Sequence, residues 1–183
     1  MPGRNPREAV DAFLDPLKEV VSCVARAKIT LSSGGWGETD GVHALTLNDD
    51  KPVKLKGRRP VLLLSIRMQY AIVPTNDPER GPWRVSTRAY AYELQTASGE
   101  LVVSYHWHPQ GGRILYPHAH LGHTQLAEDA VLHQKAHNPT GRVSLESIVR
   151  ACITEYGVTP MLEDWDKTLT LHENDFLLYR SWS

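Results

Sequence analysis

Apolar residues recur at three- and four-residue steps near the start of the chain. Val10, Phe13, Leu14, Leu17, Val20, Val21 and Val24 fall on one face of a helix expected over Pro6 to Lys28. Pro6 suits a first helical turn, where a missing N–H does no harm. Pro16 lies inside the pattern and predicts a kink or a split. Ser32-Ser33-Gly34-Gly35-Trp36-Gly37 then ends the periodicity. Residues 1–31 therefore read as an N-terminal helix joined to the rest by a Gly-rich linker over 32–41. Such a joint would let the helix dock late or pack on a partner.

The pattern then changes to strand. Val42 to Leu47 is a short candidate. Val61 to Val73 opens with a continuous apolar run and then alternates through Ile66, Met68, Tyr70 and Ile72. A loop rich in proline, asparagine and aspartate follows from Pro74 to Pro82. Trp83 to Gln95 and Glu100 to Trp107 are the next two strands, separated by the turn Ala97-Ser98-Gly99. Ser144 is a good N-cap, and Leu145, Ile148, Val149, Cys152, Ile153 and Tyr156 give the helix after it a buried face, with Gly157 at its end. Met161 to Tyr179 carries apolar residues that suit a helix or a strand. The expectation is one α+β domain over 1–183. It holds an antiparallel meander of about four to five strands, with the N-terminal helix and the C-terminal helices packed on it.

Composition narrows the function classes. The 183 residues are 41% hydrophobic and 22% charged, with a formal net charge of -1, so no basic stripe forces a nucleic-acid partner. The segment Lys51 to Arg59 is locally basic. It reads as a solvated turn, with a phosphate-contacting arm through Lys54, Lys56, Arg58 and Arg59 as the sharper alternative. Apolar runs are too short to span a bilayer, and Met1 to Arg7 lacks the apolar core of a signal peptide, so no membrane partner and a cytoplasmic location are expected. Cys23 and Cys152 sit in apolar helical patterns and read as buried structural thiols.

The chemistry concentrates in the histidines. Seven of nine lie between positions 106 and 137: His106, His108, His118, His120, His123, His133 and His137. Two pairs have the form His-x-His, which places both rings on one face of a strand. A two-residue loop at Gly111-Gly112 would put His106-His108 and His118-His120 on opposite faces. A three-residue loop, Gly111 to Arg113, would pair His106 with His118. A five-residue loop would pair His106 with His120 and His108 with His118. Pro109 and Pro117 cannot donate to a ladder, which favours the longer loop and a shared face.

Opposed imidazoles on such a face can act as acid and base on a phosphodiester, with Arg88, Arg113 or Lys135 supplying a cation. Three imidazoles can instead hold zinc or another divalent transition metal with water in the open position, and Glu128 or Asp129 would extend the set. Exposed polar alternation is the plain alternative, and His43 and His172 outside the cluster keep it. No HExxH, Walker, GxGxxG or GxSxG pattern is present. Trp83, Tyr90, Tyr92, Tyr105 and Trp107 alternate on strands as core packing. Tyr90 and Tyr92 near Arg88 are also candidates for a base-stacking platform.

The order of these features, Arg88-x-Tyr90-x-Tyr92, Ser98-Gly99-Glu100, Tyr105, Pro117-His118-x-His120 and the capped helix at Ser144-Leu145-Glu146, resembles the small toxins of the TumE-type toxin–antitoxin family over residues 88–156. The resemblance implies a growth-inhibiting protein that acts on RNA and is countered by an antitoxin. By position it carries over Tyr90, Tyr92, His118 and His120. The leading expectation is an RNA-binding or RNA-cleaving protein. His118 and His120, with His106 and His108 opposite, would be catalytic, and Arg88, Tyr90, Tyr92 and Arg113 would contact substrate. Two alternatives stand beside it: a metal-dependent hydrolase with His106, His108, His118 and His120 as ligands, and a non-catalytic module that binds a protein partner or a second copy of itself.

Overall fold

The computed structural model describes residues 2–57, 60–75, 81–110 and 113–179. The chain forms an α+β fold in which three helices, α1 (Pro6–Ser22), α2 (Leu145–Thr154) and α3 (Trp165–Tyr179), accompany one antiparallel sheet. That sheet has nine strands among the described residues: β1 (Pro2–Gly3), β2 (Ile29–Leu31), β3 (His43–Leu47), β4 (Val53–Leu55), β5 (Leu62–Pro74), β6 (Trp83–Thr96), β7 (Leu101–Trp107), β8 (His118–Leu121) and β9 (Asn138–Pro139). The order is β2-β3-β5-β6-β7-β8-β9, with β1 on β6 and β4 on β5. The expected four to five strands understate the sheet. The missed strands β1, β2, β4 and β9 span only two or three residues, too short to carry an alternating signal.

The long strands β5 and β6 are the spine. Their alternation puts Leu64, Ile66, Met68 and Tyr70 on one face beside Tyr90, Tyr92 and Leu94, all buried. Helix α1 lays Val10, Leu14, Leu17, Val20 and Val21 into the same core. It starts under an Asn5 cap whose side chain accepts from Glu8 N–H at 2.9 Å. It runs unbroken through Pro16 and ends at Ser22, short of Lys28. The proline removes one backbone bond, and the buried apolar stripe on either side holds the helix across it.

The Gly-rich segment after α1 is bound to the core rather than free. Tyr70 is fully buried, and its hydroxyl donates to Gly35 O at 2.6 Å. A β-carbon on Gly35 would lie 2.7 Å from that hydroxyl oxygen, so only glycine fits under the ring. Before it, β2 pairs with β3, and at the N-terminus β1 pairs with β6. Residues 2–35 are thus woven into the sheet and its core.

Ser144 caps α2 by accepting from Ser147 N–H at 3.0 Å. The stretch that suited helix or strand is helical as α3, with Leu169 fully buried. Both cysteines are free and buried, and burial pushes the Cys23 thiol up to about 11 and the Cys152 thiol up to about 12. The described helices include none long and apolar enough to cross a membrane. Arg58, Arg59, the Gly111-Gly112 turn and most of the Pro74 to Pro82 loop lie outside the described residues.

One buried carboxyl gives a pH-dependent prediction. Glu146 is 4% exposed in the first turn of α2. Burial raises its pKa, against its own backbone N–H, Ser144 and His172, and with repulsion from Glu173. Tyr92 faces it from β6. The folded protein therefore binds a proton at Glu146 more tightly than the unfolded chain does. Stability is full below the ordinary glutamate range and falls as pH rises through the raised folded value. Glu146→Gln removes that loss. Denaturant midpoints across a pH series should show the variant gaining on the parent toward neutral pH and losing the advantage in acid. A difference that is flat with pH would refute the ionisation argument.

Candidate metal centre

Strand alternation sends the histidines to the sheet face opposite the helices. Tyr92 is in the core and faces Tyr105 across the β6–β7 pair, so Glu93, Ser104 and His106 point the other way. On the β7–β8 pair His106 faces His118 and Ser104 faces His120. This is the pairing expected of a three-residue loop, yet the connection from His108 to Pro117 is longer. The ladder ends at His106 and His118, beside the prolines that cannot extend it. The two His-x-His pairs come to one face.

The result is a compact cluster. The ligand atoms of His106, His118 and His120 all lie within 4.8 Å of one another. Ring centroids are 5.7 Å apart for His106–His118, 5.4 Å for His106–His120 and 5.0 Å for His118–His120. His118 is the hub. It is 1% exposed and is also flanked by His108 at 5.4 Å and His137 at 4.9 Å. His137 approaches His120 at 4.6 Å, so the exposed segment after β8 returns a further imidazole to the rim.

Two of the inner three rings are held by backbone hydrogen bonds, and the third lies beside a carboxylate. His118 Nδ1 lies 2.9 Å from Tyr116 O, so Nδ1 carries the hydrogen and donates, leaving the Nε2 lone pair for another use. The backbone of Ala136 hydrogen-bonds His120. His106 Nε2 is 3.8 Å from Glu93 Oε1, an electrostatic approach rather than a hydrogen bond, and Nε2 has no hydrogen-bond partner among the described residues. The His106 imidazole, and after it Arg67, holds the Glu93 carboxyl below the ordinary carboxylate range. Arg67 also pairs with Asp50 at 2.7 Å. Burial pushes His118 and His120 below the ordinary histidine value, and the neighbouring imidazoles add to the shift.

The other candidate residues are placed elsewhere. Tyr90 and Tyr92 are 5% and 3% exposed and stack on each other at 4.7 Å under the helices. The Tyr90 hydroxyl accepts from Val143 N–H at 2.9 Å. The sheet separates both rings from the histidines, so they share no surface with them. Arg88 is the extra residue of a β-bulge, because Gln69 pairs with Ala89 and Tyr70 with Thr87. Arg113 is exposed in the β7–β8 connection, and Lys135, Glu128 and Asp129 are exposed after β8. His108 lies beside the inner three. His43 is buried with Nε2 2.8 Å from Glu38 O. Glu93 was not a sequence candidate. The signal for it was its acidic place in the strand next to the first histidine pair, which needs the β6–β7 register to be read.

Glu93 yields a direct prediction. A carboxylate behind a metal-bound imidazole typically changes metal affinity by about 10–100-fold. If His106 holds a zinc ion, Glu93→Gln should weaken its binding by that order in a chelator-competition titration. Unchanged affinity would remove Glu93 from the centre.

Comparison with family models, curated proteins and solved structures finds no match to this chain.

Proposed function

We propose that the chain is a metal-dependent hydrolase that binds one divalent transition metal, zinc in the first place, through His106, His118 and His120. The observation that carries this reading is the convergence of three imidazole ligand atoms within 4.8 Å from two paired strands. A tetrahedral zinc with Zn–N bonds of about 2.0–2.1 Å holds its nitrogens roughly 3.3 Å apart, so small side-chain rotations close the set. Three protein ligands leave a fourth position for water, which such a metal acidifies toward neutral pH. Tyr116 O and the Ala136 backbone orient His118 and His120, and the Glu93 carboxylate lies 3.8 Å from His106 Nε2. The toxin resemblance makes an RNA phosphodiester the first substrate to try.

A metal-free acid–base ribonuclease is the second reading. Arg67, on the same face, is engaged by Asp50 and Glu93, which leaves Arg113 and Lys135, exposed on either side of β8, as its cations.

Elemental analysis of the purified protein, followed by cleavage assays on RNA and on bis(p-nitrophenyl) phosphate with and without zinc, tests the proposal. About one metal per chain with metal-dependent cleavage is the expected result. Stoichiometric metal without hydrolysis would leave a metal-binding protein and overturn the enzyme. RNA cleavage by metal-free protein would overturn the metal.

A further inference from the structure

Half of the large apolar side chains exposed among the described residues, Leu115, Tyr116, Val131 and Leu132, belong to the two segments that flank β8, the strand of His118 and His120. Exposed apolar side chains scattered singly need no explanation. Tyr116 stands apart because its place beside the candidate ligands is fixed. Two residues before His118 it turns its ring toward that imidazole, with centroids 6.1 Å apart and planes at 80°. It is nonetheless 43% exposed, so the ring meets solvent beside the cluster instead of packing into the core.

The backbone under Tyr116 is held on both sides. Its carbonyl accepts the His118 Nδ1 hydrogen at 2.9 Å. Pro117 follows, and a proline disfavours helical backbone in the residue before it. Pro117 is buried, and its own carbonyl accepts from Thr140 N–H at 2.8 Å. An exposed tyrosine on such a base has only two side-chain torsions to lose when a ligand settles on it. Its faces suit offset stacking with another flat ring. The stacking candidates read from the sequence, Tyr90 and Tyr92, are buried under the helices, whereas Tyr116 is on the histidine side of the sheet.

We infer that Tyr116 is the substrate-selecting residue of the histidine site. Its ring stacks on a flat aromatic group carried by the substrate, while the phosphate of that substrate faces the histidines. The inference rests on the zinc reading and narrows its substrates to phosphodiesters that bear an aryl or nucleobase ring near the phosphorus.

The test titrates zinc-loaded, full-length protein with phenylphosphonate and with methylphosphonate, which share the anionic head and differ in the ring. One ring stacked on an aromatic side chain is worth about 5- to 150-fold in affinity. Phenylphosphonate should therefore bind at least about tenfold tighter than methylphosphonate, and NMR cross-peaks should connect its ring to the Tyr116 ring. Tyr116→Phe should keep that preference, and Tyr116→Ser should remove it. The ratio of the two affinities is the readout, so a change that a variant makes at the histidines themselves affects both ligands alike. Equal affinities in the parent, a preference that survives in Tyr116→Ser, or cross-peaks to other residues would overturn the role of Tyr116 and leave the zinc centre standing. Binding of neither phosphonate by zinc-loaded protein would do the same. Protein that takes up no zinc would overturn the centre, and this inference with it.

Discussion

If zinc binds as proposed, His118→Ala is expected to erase the stabilisation it gives the parent protein. A metal that binds the folded state alone at 100 times its dissociation constant adds about 2.7 kcal/mol. For a domain of this size each kcal/mol raises Tm by about 2–4 °C, so the parent should gain roughly 5–10 °C on zinc addition. His118 touches His106, His108, His120 and His137, and it is the most buried of the candidate ligands. Its loss leaves two of three inner ligands, and a two-histidine set on a solvent-facing sheet holds zinc far less well. The baseline Tm of the variant will also move, because a buried ring has been deleted. The readout is therefore the increment on adding zinc, not the absolute Tm. His106→Ala and His120→Ala should lose the increment as well, while His108→Ala and His137→Ala, at the rim, should keep most of it. If His118→Ala retained the full increment, the inner three would not be the ligands.

The histidine face was partly legible from spacing alone. The i, i+2 rule puts each His-x-His pair on one side of a strand whatever the fold. Whether the two pairs meet is a question of register, and register depends on a connection whose proline and glycine content permits several loops. The observed pairing of His106 with His118 follows where the ladder stops, not how long the loop is. Glu93 was out of reach for the same reason. It lies on a different strand, and it joins His106 only through the β6–β7 pairing.

The fold was legible wherever an element was long. Helix α1, strands β5 to β7 and helix α2 all announced themselves by period. The edge strands did not, since two or three residues show no period and are recruited by the neighbours they pair with. The substrate candidates Tyr90 and Tyr92 illustrate the limit of one-strand reasoning. Alternation correctly puts them together on a face, but only the sheet's packing decides that this face is the one under the helices.

That packing also makes the role of the N-terminal segment testable. A chain that starts at Thr39 should fail to fold cooperatively. It would lack α1, whose Val10, Leu14, Leu17, Val20 and Val21 fill the core over β5 and β6, together with Val24 just past its end. Burying such a side chain stabilises by roughly 1.5–3 kcal/mol, so six of them weigh as much as the whole stability of about 5–15 kcal/mol that a domain has to spare. The truncation would also strip β2 from β3, β1 from β6 and the Gly35 carbonyl from the Tyr70 hydroxyl, leaving that hydroxyl without its acceptor. A Gly-rich joint suggests a tethered helix that could serve a partner, but the tether is itself pinned by Tyr70. Leu14→Ala in the full chain gives the graded form of the same experiment, with an expected loss of about 2–5 kcal/mol by denaturant titration, because Leu14 is 1% exposed. A truncated chain that unfolded in one sharp transition, with the parent's sheet intact by circular dichroism, would show that α1 is an accessory to the sheet, and its apolar face would then be open to a partner.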